Sequence, residues 1–221
     1  MAGNADPEGE AIARLLHLTD LHVTDAQSPA RFEFVNHEAG DPRFRELLTM
    51  QRPQEMLNTH AIAAMVRTIN MIEGVDVVAM TGDGIDNAQR NELNNLLALL
   101  DGGDVHPDSG APGYEGVQRV DWPDDIFWKP DGPVEGDVFQ HELGFPRKPG
   151  LLDEATQSFR SPGLRARWLR CWGNHEQVCQ GVGVITPALI EAMAGARKWT
   201  AMPPGIDPDH AVQTFTSHPE R

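Results

Sequence analysis

The stretch Thr81–Asn87 reads TGDGIDN and directly follows Val75–Met80, the most strand-like run in this chain of 221 residues. Asp83 lies just past that run, between Gly82 and Gly84. A carboxylate in this position leaves the carboxyl end of a strand, where open α/β sheets bind their ligands. The flanking glycines tolerate positive φ angles and let the backbone approach a ligand closely. The stretch therefore predicts a ligand site at the edge of a sheet.

Two further apolar runs end in polar side chains of the same kinds. The first run, LLHLTDLHV, ends with Asp20 and His22, and the second run, WLRCWGNHE, ends with Asn174 and His175. The carboxyl ends of parallel strands meet at one edge of a sheet. The three runs therefore predict one site that is assembled from three places in the chain.

Between the strand-like runs, apolar residues recur at intervals of three and four. This spacing predicts one helix from near Gln54 that closes at Gly74, and another from about Gln89 to Leu100. A Thr-Pro pair predicts the start of a third helix at Thr186–Ala194. The alternation of strands and helices is typical of an α/β fold with a mainly parallel sheet.

Residues 101–165 interrupt the alternation and are rich in proline and glycine. We expect a long, irregular insertion that lies over the sheet. Its apolar cluster between Trp122 and Trp128 is too hydrophobic for a free linker, so parts of it should dock. A short helix is predicted at Leu151–Phe159, and residues 201–221 form a Pro-rich tail.

The charge of the chain limits the classes of partner. Its net charge is −15, from 33 acidic and 18 basic residues, which argues against a general nucleic-acid or membrane-surface binder. A phosphate substrate remains compatible, because bound cations reverse the local sign. No apolar run approaches the ~20 residues of a membrane span, and two cysteines do not make a disulfide framework. The N-terminal residues lack a basic segment followed by an apolar one, so we expect no signal peptide. We therefore expect a cytoplasmic protein, and oligomeric state stays open.

The residue types at the strand ends suit divalent cations. Asp20 and His22 are two positions apart, so in a strand both would face one side and bind one cation. Asp83 has two carboxylate oxygens and would bridge two cations, and Asn174 supplies a neutral carbonyl oxygen. Two cations ~3.5–4 Å apart clamp a phosphate and generate a hydroxide nucleophile.

Three other residues fit roles beside the cations. His175 would protonate the leaving oxygen, and Asp86 would orient and charge that imidazole. Asn87 offers an amide to the substrate. A simpler interpretation stays open, because Gly-Asp-Gly is turn-like and both Asp83 and Asp86 suit turns.

The blocks DLH at 20–22, GDGIDN at 82–87 and GNHE at 173–176 resemble, in order, the first three blocks of the calcineurin-like metallophosphoesterases. The family pattern is D-x-H, then G-D-x-x-D with Asn or Arg following, then G-N-H-D/E. The resemblance implies a four-layer α/β/β/α sandwich, here spanning residues 13–200. It also implies hydrolysis of a phosphate mono- or diester by a metal-bound hydroxide, with two ions of manganese, iron or zinc.

The resemblance assigns a role to each motif residue. It implies one metal on Asp20 and His22, a bridging Asp83, a second metal on Asn174, and His175 as the proton donor assisted by Asp86.

The chain departs from the family pattern after Glu176. The family continues with a lone His and then G-H-x-H, whereas here only His210 and His218 follow, as candidate replacement ligands. We therefore expect residues 1–221 to form the N-terminal, incomplete part of such a domain. The alternative is a catalytically inactive remnant that binds a partner or ligand.

Overall fold

The computed structural model describes residues 11–27 and 52–181, and the isolated positions 42, 185, 187, 190, 207 and 210. This part of the chain forms five strands, namely β1 (Leu15–Leu18), β2 (Val77–Met80), β3 (Gly103–Val105), β4 (Phe159–Ser161) and β5 (Arg167–Arg170). Its α-helices are α1 (Asn58–Ile69), α2 (Arg90–Asp101), α3 (Val138–His141) and α4 (Leu151–Thr156). The predicted α/β class is confirmed at this level.

The three predicted strands form one parallel sheet in the order β1-β2-β5. The central strand β2 pairs on one side with β1, where Leu18 faces Met80, and on the other with β5, where Arg170 faces Met80. All three strands therefore end at one edge, and the three motif blocks continue from that edge.

Helices α1 and α2 pack on one face of this sheet and form the main core with it. Val66 of α1 and Leu96 of α2 are fully buried, and Met80 of β2 retains 2% of its exposure. Leu18 and Trp168 from the two edge strands pack against the same cluster. The period-2 alternation of each strand thus directs one set of side chains toward the helices.

The opposite face of the sheet is open to solvent. Leu15 of β1 is 61% exposed and Leu169 of β5 is 68% exposed. Val77 and Ala79 of the central strand are half-buried on that same face. Among the described residues, the helices therefore cover one face of the sheet, and the other face, which carries Leu15, His17, Arg167 and Leu169, has no layer packed on it.

Helix α1 is shorter than its apolar spacing predicted. It begins at Asn58, after a 3₁₀ turn at Glu55–Leu57, and ends at Ile69. The side chain of Asn70 donates to the carbonyl oxygen of Gly163 and accepts from the backbone N–H of Arg165. These contacts with a distant segment coincide with the end of the helix. Helix α2 is within one residue of its prediction.

The segment 101–165 is more ordered than the irregular insertion that its composition predicted. Strands β3 and β4 pair antiparallel, and α4 ends at Thr156, which leaves Phe159 in β4. Docking of its apolar cluster is confirmed, because Phe127 and Trp128 are buried. Trp128 packs with Met56, Leu152 and other residues in a second hydrophobic cluster.

Two predictions fall outside the described ranges. The helix at Thr186–Ala194 and the tail 201–221 lie there except for single positions, one of which is an exposed His210. His218 lies there too. Among the described residues, no helix is both long and apolar enough to cross a lipid bilayer.

Candidate metal centre

The loops after β1 and β2 run side by side beyond the ends of their strands. His22 donates its backbone N–H to the carbonyl oxygen of Asp83 at 2.9 Å, and Val23 donates to Gly84 at 2.9 Å. In return, the N–H of Asp86 donates to the carbonyl oxygen of Val23 at 3.1 Å. This short ladder fixes the first motif against the second, so their side chains share one small volume.

Three site residues have left-handed backbone conformations. The φ angles are 54° at Asp20, 47° at His22 and 49° at Asp83. Such conformations cost on the order of 1 kcal/mol or more each, and they gather at functional sites. The predicted reason for pairing Asp20 with His22 was wrong, because β1 ends at Leu18 and the two share no strand face. Their approach comes from the curled loop instead.

The first candidate ligand group contains Asp20, His22 and Asp83, whose ligand atoms all lie within 4.8 Å of one another. His22 Nε2 is 3.5 Å from Asp20 Oδ1. The hydroxyl of Thr19 donates to Asp20 and lowers the pKa of that carboxyl, so it is a carboxylate at neutral pH. Carboxylate and imidazole donors at this spacing suit a divalent cation such as manganese, iron or zinc.

The second group contains His22, Asp86 and His175, again with ligand atoms within 4.8 Å. The Nδ1 atoms of both histidines lie 3.1 Å from Oδ1 of Asp86, which is fully buried. The two rings meet edge to face, with centroids 4.2 Å apart. Asp86 therefore contacts both histidines, whereas the sequence predicted it beside His175 alone.

The acceptors around the two rings fix their tautomers. His175 Nδ1 lies 3.0 Å from the backbone carbonyl oxygen of Asp86, which only accepts, so Nδ1 carries a proton. His22 Nδ1 likewise faces an Asp86 carboxylate oxygen and donates to it. In both rings Nε2 is then left for other chemistry. A carboxylate behind Nδ1 is the usual support of a metal-binding histidine.

His22 has a raised pKa. The hydrogen bond to Asp86 is the largest cause, and burial and the nearby Arg52 guanidinium oppose it. Arg52 Nη1 donates to Asp86 Oδ1 at 3.2 Å. Arg52 belongs to no motif and was missed, because its contact with Asp86 spans 34 positions and has no local pattern.

The third motif meets the second through a close approach of glycines. A Cβ at Gly173 would lie 2.0 Å from Asp83 Oδ1, so only glycine fits there. A Cβ at Gly82 would lie 3.0 Å from the Gly173 Cα atom, and Gly82 has a φ of 117°. This proximity lets Asp83 Oδ1 accept the backbone N–H of His175 at 3.0 Å. Asp83 therefore lies in contact with the third motif, as the prediction of one site from three strand ends required.

Glu176 fastens the loops after β2 and β5 together. Its buried carboxylate accepts backbone N–H groups from Gly173 at 2.6 Å and from Gly84 at 2.7 Å, with longer bonds from Asp83 and Ile85. Arg170 Nη2 also donates to it at 2.7 Å. Burial raises its pKa, but these donors outweigh burial and the net pKa is lowered. The sequence feature that could have predicted this role is the position of Glu176 as the last residue of the GNHE block.

Asn87 faces inward rather than toward solvent. Its backbone N–H and its Nδ2 donate to the buried Glu92, and Nδ2 also donates to Asp86 Oδ2 at 3.0 Å. Its Oδ1 is buried and has no hydrogen-bond partner in the described part of the chain. Burial raises the pKa of Glu92 to about 7. The structure thus places Asn87 behind Asp86, and its contact with substrate stays a prediction.

Asn174 is exposed on the loop between Gly173 and His175. Its Nδ2 donates to the carbonyl oxygen of Gln180 at 2.7 Å. The side chain of Gln180 in turn reaches Asp86 Oδ2 at 3.4 Å. Asn174 is therefore tied to the rim of the same site, and its role as a ligand of a second metal stays a prediction.

The described residues fit a divalent metal ion by the chemistry of their donors. Two carboxylates and one imidazole nitrogen converge at Asp20, His22 and Asp83, and the ring of His22 is braced from behind by Asp86. Comparisons with protein-family models, with curated proteins and with solved structures found no match for this chain. The case for a function therefore rests on the three motifs and on the geometry that they form.

Proposed function

We propose that this chain carries the metal centre of a calcineurin-like metallophosphoesterase, which hydrolyses a phosphate mono- or diester. One observation carries the proposal. Three blocks that are far apart in the chain meet at the carboxyl edge of one parallel sheet and bring Asp20, His22, Asp83, Asp86 and His175 together. The order of these residues in the chain and their residue types match the family's three motif blocks. A chance cluster of surface acids would match neither the order nor the residue types.

Asp20, His22 and Asp83 would hold a divalent ion, and Asn174 is the candidate ligand for a second. When bound, such ions supply positive charge to the phosphate and activate water for attack. Manganese, iron and zinc all accept these donors. The chain has a net negative charge, and bound cations would reverse the sign locally in favour of a phosphate.

His175 is the candidate proton donor to the leaving oxygen. Its Nδ1 proton is held by Asp86, so the proton available for transfer is the one on Nε2 of the imidazolium. The Asp86 carboxylate lies 3.1 Å from Nδ1 and fixes the orientation of the ring. His22 is bonded to the same carboxylate and keeps its Nε2 lone pair for a metal ion.

The four-layer sandwich is also part of this proposal. The described residues supply one helical layer and one sheet, whose outer face presents the exposed Leu15 and Leu169. A second sheet packed on that face would complete the inner two layers. The same exposed face favours the alternative, a non-catalytic module that binds a partner there.

The test is metal content and hydrolysis by the purified 221-residue protein. We expect manganese binding by calorimetry and manganese-dependent release of p-nitrophenol from its phosphate ester or bis-ester. Metal binding without hydrolysis of either ester would favour the binding module. Absence of metal binding would overturn the metallophosphoesterase proposal.

A further inference from the structure

Arg52 brings a positive charge to the edge of the candidate metal centre. Its Nη1 lies 3.2 Å from Asp86 Oδ1 and 3.2 Å from Glu55 Oε1. The Asp86 side chain is fully buried, whereas the Arg52 side chain keeps 38% of its exposure. The guanidinium therefore extends from the buried carboxylate, which also holds His22 and His175, toward solvent.

Only one corner of the Arg52 guanidinium is used by these two carboxylates. Within residues 11–27 and 52–181, no hydrogen bond or ion pair uses its Nε or Nη2 atom. A guanidinium has five N–H donors in a planar fork that matches two oxygens of a phosphate. The free edge of the fork can therefore bind a phosphate while Nη1 stays on Asp86.

A second arginine among the described residues, Arg170, is differently placed. Arg170 donates to Glu176 at 2.7 Å, and its side chain is only 16% exposed. It braces the loop from within the fold. Arg52, by contrast, is reachable from solvent and lies next to the proposed proton donor through their shared partner Asp86.

We propose that Arg52 is a substrate-binding residue whose guanidinium pairs with a non-bridging phosphate oxygen and thereby favours phosphomonoesters over phosphodiesters. The inference rests on the proposed function and adds a substrate class to it. A monoester has three non-bridging oxygens and at neutral pH carries up to two negative charges. A diester has two such oxygens and one charge. Only the monoester can present two oxygens to cations that Asp20, His22 and Asp83 would help to hold and still offer a third to Arg52.

A competing role for Arg52 is to position Asp86 alone. Arg52 would then act on catalysis through Asp86 and His175. In that case the reduction in turnover caused by removing Arg52 would depend on the leaving group of the substrate. A phosphate contact predicts a different dependence, on the charge and oxygen count of the phosphate. The two roles are therefore separable by the choice of ligand.

The experiment measures the binding of inorganic phosphate and of dimethyl phosphate to the manganese-loaded 221-residue protein by calorimetry. Arg52→Ala should weaken binding of inorganic phosphate by about 10- to 100-fold, the loss expected for a charged hydrogen bond. Binding of dimethyl phosphate should change by less than about threefold, while Arg52→Lys should recover part of the loss. Manganese affinity should stay within about threefold of wild type.

Arg119→Ala is the matched control, since Arg119 pairs with Asp121 and has a 43% exposed side chain outside the site. It should leave both ligands unaffected. Equal losses for both ligands, or no loss for either, would overturn the inference while wild-type manganese binding and hydrolysis preserve the proposed function. A large loss of manganese with Arg52→Ala would assign Arg52 to positioning instead. A wild-type protein that binds no manganese would overturn both.

Discussion

His175 and Asp86 touch one another but have separable roles. His175→Asn should keep bound metal and slow turnover by about 10²- to 10⁴-fold, the usual loss for a general acid. The loss should shrink for p-nitrophenyl phosphate, whose leaving group needs no proton, and should be largest for an alkyl ester. Rates measured against leaving-group pKa, together with metal analysis, check this. A uniform loss for all leaving groups, or loss of metal, would make His175 a ligand or a structural residue.

Asp86→Asn is the informative comparison for His175, because Asp86 Oδ1 lies 3.1 Å from Nδ1 of both histidines. This substitution should give a milder defect of the same leaving-group dependence. It should also weaken manganese binding about 10- to 100-fold, since it removes the support behind His22. Loss of the Asp86 carboxylate should also lower the pKa of His22 toward its usual range in an NMR titration of the metal-free protein. An unchanged His22 pKa and unchanged manganese affinity would contradict the bracing role.

The residues of the site differed in how far the sequence could predict them. Asp20, His22, Asp83 and His175 follow strands or lie in motifs, so local sequence was enough to select them. Arg52 could not be selected, because its contact with Asp86 depends on how the chain folds back.

At the level of elements, Glu176 joins two of the three loops. Its buried carboxylate accepts N–H groups from the loops after β2 and β5. Glu176→Gln would turn an amide N–H₂ toward those donors, so we expect a loss of about 2–3 kcal/mol in the free energy of unfolding. Urea unfolding at pH 7 measures this difference in the free energy of unfolding. Glu154→Gln, at an exposed position on α4, is the control and should change stability by less than about 0.5 kcal/mol.

The lowered pKa of Glu176 sets the sign of its pH dependence. Because the folded protein binds this proton less readily than the unfolded chain, the stabilisation is present above the ordinary glutamate pKa of 4.5 and is lost as pH falls through the lower folded pKa. The difference in the free energy of unfolding between wild type and Glu176→Gln should therefore become smaller at acidic pH. A gap that is constant from pH 7 to pH 3 would show that ionisation of Glu176 plays no part.

Elements with a strong local pattern were predictable, and elements that depend on distant pairing were not. Continuous apolar runs predicted β1, β2 and β5, and three- and four-residue spacing predicted α1 and α2. Strands β3 and β4 have three residues each and exist through their mutual pairing, such as Val105 with Phe159. No local periodicity announces strands of that length. The end of α1 likewise coincides with contacts of Asn70 with Gly163 and Arg165, which are more than 90 positions away in the chain.

For the whole molecule, the open sheet face predicts self-association. Leu15 and Leu169 are 61% and 68% exposed, and β1 and β5 are the edge strands of the sheet that the described residues form. Apolar patches and unpaired edges of this kind promote contacts between chains. Residues 1–221 should therefore be oligomeric or aggregation-prone by light scattering coupled to size-exclusion chromatography, and Leu15→Ser with Leu169→Ser should reduce this.

Met71→Ser is the control for that surface, because Met71 is 77% exposed but lies after α1 and away from the sheet face. It should leave association unchanged. A monodisperse wild-type monomer with a cooperative thermal transition would contradict the prediction and would also weaken the proposal that a second sheet packs on this face.

Manganese titration of the wild-type protein and of Asp83→Asn tests the metal centre most directly. An asparagine keeps an Oδ1 acceptor for the His175 N–H, so the variant should keep its fold by circular dichroism and its thermal transition. It loses the charged ligand that joins Asp20 and His22, so it should lose bound manganese and nearly all hydrolysis. We expect manganese binding by the wild type and its loss in Asp83→Asn. An Asp83→Asn protein with wild-type manganese stoichiometry and rate would contradict it.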